Sequence, residues 1–169
     1  MEYKQLTEFF QQEIKAEDVA TRKCLERIPE SIYGFKPHER SMELGHLAQL
    51  VSDIPRWVSS MIIDTIIDFA TYPQFKLSDT AALLKHYDNN LKGALDALKN
   101  ITTDQLKEEF SLRKSGEVLY SQPKLKAIGE AVNHWVHHRG QLTVYMRLNE
   151  IAVPSIYGPS ADDKGFSRG

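Results

Sequence analysis

The stretch Pro123–Asn149, PKLKAIGEAVNHWVHHRGQLTVYMRLN, carries both the helical pattern and the chemistry from which this chain is read. Leu125, Ile128, Val132, Trp135, Leu142 and Met146 fall at helical steps, and Pro123 stands where a first-turn proline belongs, so the spacing predicts a helix from Pro123 to about Asn149. Working outward, the preceding residues 101–122 show no clear period and read as a loop that could hold an irregular hairpin around Gly116, with Thr102 or Thr103 capping a short turn. Before them, Leu84, Tyr87, Leu91, Ala94, Leu95 and Leu98 predict a helix to Asn100, capped by Ser78 or Asp79. A further stripe, from Leu44 through Val51, Val58 and Ile62 to Phe69, predicts a long helix with Ser41 as N-cap, kinked or broken at Pro55 and closed by Tyr72-Pro73. The first helix is expected over Tyr3–Ile28, its stripe interrupted by Glu13 and Glu17 and ended by Pro29. Helices on this pattern predict an all-α chain built as a four-helix bundle.

The 169 residues are 41% hydrophobic and 26% charged, with 21 basic and 23 acidic side chains for a net charge of −2. This describes one domain over residues 1–169, with a loop-like tail from Val153. The near-neutral balance gives no electrostatic reason for a nucleic-acid partner. The most apolar window, Met61 to Ile67, is interrupted by Asp64 and falls far short of the roughly 20 apolar residues that span a bilayer. No membrane partner is expected. A single cysteine, Cys24, and polar residues behind Met1 predict a cytoplasmic protein. Cys24 lies in an apolar stripe and reads as a buried small side chain rather than a nucleophile.

Three of the six histidines fall within residues 133–141. His134 and His138 are four apart, which on a helix means about 40° of rotation and about 6 Å of rise, so both imidazoles can face one ion. His137 shares its side with Glu130, Asn133 and Gln141 and is expected to be solvated. A pair of histidines needs a third ligand from another helix, and His46, bordering the apolar face of the second helix, is the candidate. Three neutral imidazoles suit zinc, nickel or another late first-row ion and leave a coordination position open. An i,i+4 pair taken alone also suits a hydrogen-bonded core. His38 and His86 read as structural or surface residues.

His46 in Glu43-Leu44-Gly45-His46-Leu47-Ala48, the stretch His134 to Leu142, and the tail Val153-Pro154-Ser155-Ile156-Tyr157-Gly158-Pro159 resemble the DinB-like superfamily of bacterial metalloproteins. The resemblance implies up-down-down-up connectivity, a three-histidine metal site on His46, His134 and His138, and a homodimer. It also implies the leading function, a metal-dependent thiol S-transferase of the bacillithiol type acting on small electrophiles. Two other readings stay open. One is a metal-dependent hydrolase, for which Asp53, about two turns from His46, is a poor base. The other is a non-catalytic metal-binding or stress-related bundle. The sequence assigns no catalytic residue and no organic cofactor.

Overall fold

A computed structural model describes residues 3–165. The ends of the expected domain, 1–2 and 166–169, lie outside the described residues. The chain forms α1 (Tyr3–Glu26), α2 (Leu44–Ile63), β1 (Ile66–Asp68), α3 (Thr80–Asn100), α4 (Thr103–Lys107), β2 (Glu109–Lys114), β3 (Glu117–Pro123) and α5 (Lys124–Leu148). It is mostly helical with a small sheet, and this corrects the expectation of an all-α chain.

Contacts between the long helices fix their directions. Thr80 Oγ1 donates to Ile28 O and Tyr87 OH to Asp18, so α3 runs against α1. Phe10 packs beside Gly129, and Arg139 meets Glu17 and Thr21, so α5 runs with α1. Tyr145 OH donates to Met42 O and Lys124 Nζ to Ile62 O, which sets α2 against α5. His86 meets Asp53, and Gly93 lies against Ser59, so α3 runs with α2. Leu47, Val51, Ile54 and Val58 of α2 pack with Leu83, Tyr87, Ile128 and Trp135 in one core.

The second helix is shorter than its stripe. Ile62, Ile66 and Phe69 keep helical spacing, yet α2 ends at Ile63, Thr65 takes φ 61°, and Ile66–Asp68 pairs in parallel with β2. Ile67 is buried while Ile66 is exposed, the two-residue alternation of a strand. A β-branched residue in the left-handed region is sterically costly. The geometry around it is supported by Lys124, whose buried ammonium donates to Ile62 O at 2.9 Å and pairs with Glu108 at the carbonyl end of α2. Pro55 does not break the helix, which is continuous from Leu44 to Ile63.

Ser41 is not the cap of α2. Glu43 occupies the N-cap without a side-chain bond, and the amides of Leu44 and Gly45 donate instead to Phe35 O and Tyr33 O, each at 2.8 Å. The connecting loop thus supplies backbone acceptors to the first-turn donors. Asp79 caps α3 through Ala82 N, and Thr102 with Gln105 forms a capping box on α4.

Residues 109–123 form a hairpin rather than plain loop, turning at Ser115 (φ 53°) and Gly116 (φ 82°). Asp68 accepts from the amides of Ala70, Ser115 and Gly116, and these bonds hold its carboxyl below the usual range. Pro123 closes β3 as the N-cap of α5, one position before the expected first turn. Residues 153–165 of the tail have neither helix nor strand but are tied down. Arg27 donates to Ala152 O, Arg147 pairs with Asp162, and Tyr157 joins Arg139 and Glu17.

Candidate functional site

The helical period of α5 brings His134 and His138 together, with ring centroids 4.5 Å apart at 64°. Trp57 reaches them from α2, its ring 5.5 Å from that of His134. Desolvation is the largest influence on both histidines and lowers their pKa values, reinforced at His134 by His138 and at both by His137. Each is therefore mostly uncharged at neutral pH, the form in which imidazole binds a metal. His138 Nδ1 lies 2.7 Å from Gln141 Oε1. With the amide oxygen accepting, Nδ1 holds the proton and the Nε2 lone pair is left for a ligand.

His46 lies on the exposed side of α2, near its N-terminal end, and lines a cavity of about 510 Å³ with Tyr33, Gly45, Gln49 and Phe75. Gln49 Nε2 donates to Phe75 O at 2.9 Å and fastens the 70–79 segment over this side of α2. Among the described residues, no three His, Cys, Asp or Glu side chains stand in an arrangement that would hold an ion. The His134–His138 pair thus has the donor chemistry of a late-metal site, and the arrangement does not itself complete a triad with His46.

The remaining candidates separate clearly. His137 is exposed, as His134 is, and its ring lies 5.1 Å from that of His138. Cys24 is fully buried, and burial pushes its thiol up to about 12, so it is no nucleophile at neutral pH. His86 and Asp53, read from the sequence as a structural residue and a poor base, are joined: His86 Nε2 lies 2.7 Å from Asp53 Oδ1. Nothing in the sequence signals this pair, because its members are 33 positions apart on different helices. Arg139, next to His138 in sequence, points about 100° away around the helix and is buried against Glu17.

A model of the DinB family matches residues 1–165. The chain belongs to the DinB family. Solved DinB-like proteins share the fold of this DinB chain. One from Bacillus cereus has a TM-score of 0.67 at 24% identity, covering 89% of this chain and 97% of that one. YjoA of Bacillus subtilis has a TM-score of 0.66 at 22% identity, over 85% and 92% of the two chains. A protein from Exiguobacterium sibiricum described as a putative DinB family member scores 0.63 at 16% identity, over 86% and 92%. The uncharacterized protein YrdA of Bacillus subtilis is 50% identical over 32 residues, 19% of the length of each. No helix of the described residues is long and apolar enough to cross a membrane.

Proposed function

We propose that this DinB protein is a metal-dependent thiol S-transferase acting on small electrophiles, with His46, His134 and His138 as the ligands. The observation that carries the reading is the His134–His138 pair, two facing imidazoles on the edge of α5 beside α2, whose pKa values desolvation lowers. The helix directions traced above support the up-down-down-up arrangement on which the three-histidine assignment depends. A zinc or nickel ion with an open position would acidify a cosubstrate thiol, giving a nucleophile at neutral pH. The chain's own residues do the rest. Gln141 fixes the proton on His138 Nδ1, and Trp57 packs against His134, limiting the freedom of its ring. The cavity beside His46 offers aromatic walls for a small substrate, with Gln49 at its edge.

Elemental analysis of untagged protein tests the ligand set. About one equivalent of zinc or nickel is expected in the wild type and in His137→Ala, and is lost in His46→Ala, His134→Ala and His138→Ala. Conversion of an electrophile that requires both metal and added thiol then supports the transferase. Hydrolysis without thiol would replace it with the hydrolase reading, and metal binding without either activity with a non-catalytic role. The homodimer and cytoplasmic location belong to the same proposal, the first measured by sedimentation and the second by fractionation.

A further inference from the structure

A second cavity, of about 420 Å³, lies at the other end of α2 from His46, about 24 Å along the helix. Its volume falls in the range of small-molecule sites. The last two residues of α2 form one wall, with Ile62 buried and Ile63 69% exposed at the lip. Gly93, Asp96, Ala97 and Asn100 form another, at spacings that put all four on one side of α3. Ile101 and, from α4, Gln105 close the end.

Gly93 keeps this space open. In the interior of a helix glycine is less favourable than alanine. Outside its own helix, a Cβ here would meet only Ser59 Oγ, at 3.7 Å, which is ordinary contact. The packing of α3 on α2 therefore does not require the missing side chain, in contrast to Gly45. What the glycine does is leave the groove beside Ile62 and Ala97 unfilled.

The mouth of the cavity is polar and of one sign. Among the described residues, Asp96 is the one charged side chain that lines it. Lys92 pairs with Asp96 Oδ2, but the two side chains are 78% and 56% exposed, and Oδ1 has no partner among the described residues. A pair so exposed to water is weak. Asn100 donates through Nδ2 to Asp96 O, which leaves its Oδ1 as a second acceptor. Gln105 accepts from Thr102 N through Oε1, which leaves its amide N–H groups as donors. Both α2 and α3 end at this cavity, so the partial charges of their carboxyl ends are also negative. Lys124, the cation at the end of α2, is already held by Ile62 O and Glu108.

We propose that this cavity binds a small organic cation, an alkyl- or arylalkylammonium. Its apolar body packs against Ile62, Ala97 and Ile101, and its ammonium group meets Asp96 and Asn100. The site is separate from the histidine pair and does not depend on the thiol-transfer reading.

The test is amide NMR of the purified protein, titrated at neutral pH with 2-phenylethylamine and with its neutral and anionic counterparts, 2-phenylethanol and 3-phenylpropionate. The amine is expected to shift the signals of Gly93, Ala97, Ile101 and the Gln105 side chain saturably. It should bind about 3–10-fold more tightly than the alcohol, and the anion should not bind there. Asp96→Asn is expected to weaken the amine by about the same factor, whereas Lys92→Ala strengthens it by removing a competing cation. Gly93→Leu fills the cavity and abolishes binding. Should Gly93→Leu fail to fold, the two exposed variants carry the test through their opposite signs. No saturable binding of the amine, equal affinity for amine and alcohol, Asp96 and Lys92 variants that move together, or shifts confined to the His46 cavity would each overturn the proposal.

Discussion

A Cβ built on Gly45 would lie 2.9 Å from Tyr33 Cβ and 3.2 Å from Leu77 Cδ2, so this position of α2 depends on the absence of a side chain. Gly45→Ala is expected to cost about 1–3 kcal/mol through overpacking, despite the better helix propensity of alanine, and a urea unfolding series would show it as a lower midpoint. A second residue-scale expectation concerns pH. Burial holds the pKa values of His134 and His138 below their ordinary 6.5 in the fold. The unfolded chain then binds protons first as pH falls, so metal-free protein loses stability below about pH 6.5 until the folded histidines also titrate. Above that pH the two states are equally neutral and the contribution is flat. Thermal melts of metal-free protein should show this acid loss, and a His134→Gln/His138→Gln double variant should show a shallower one. At this scale the pair was legible in the sequence, because four-residue spacing on a helix fixes proximity by itself. The Asp53–His86 contact was not, since it depends on how two helices are placed side by side.

Among elements, the four long helices followed from periodicity, but the end of α2 did not. The run Ile62, Thr65, Ile66 and Phe69 satisfies helical spacing, and its β-branched content also suits a strand. Pairing with β2 and the reach of Lys124 decide between them, and both come from residues more than 40 positions later. Lys124 gives this boundary a test. Its Nζ is buried and donates to Ile62 O and Glu108 Oε2, each at 2.9 Å. Lys124→Ala leaves the last-turn carbonyl without its donor and removes the packed stem, and is expected to cost about 1–3 kcal/mol. Glu108 is about half exposed, so its carboxylate is left near water and adds little. Hydrogen exchange should then show the amides of the β1–β2 pairing opening earlier than those in the middle of α2.

For the whole molecule, the deepest polar link joins three distant parts of the chain. Arg139 of α5, 2% exposed, meets Glu17 of α1 at 2.6 Å, and both meet the tail through Tyr157 OH, at 2.8 and 2.9 Å. The sequence offered half of this, since Glu17 interrupts the apolar stripe of α1, a position where a charge requires a partner. It did not say that the partner is Arg139 or that the tail closes over the pair. The tail therefore lies against the α1–α5 side, and the histidine pair faces α2. Glu17→Ala strands a buried guanidinium and is expected to cost about 3–5 kcal/mol. Tyr157→Phe removes the hydroxyl but keeps the ring packed near the guanidinium, 5.4 Å from its carbon, for an expected loss of about 0.5–1.5 kcal/mol. If Tyr157 acts through the Arg139–Glu17 pair, the two losses will not add in the double variant, because residues in one network couple. Denaturant unfolding of the four proteins in that cycle measures the coupling. Limited proteolysis would meanwhile show faster cutting after Ala152 in Tyr157→Phe, while metal content stays at the wild-type value; additive losses and an unchanged cutting rate would mean that the tail is held without the Tyr157 hydroxyl, through contacts such as those of Asp162 with Arg147 and Arg27 with Ala152 O.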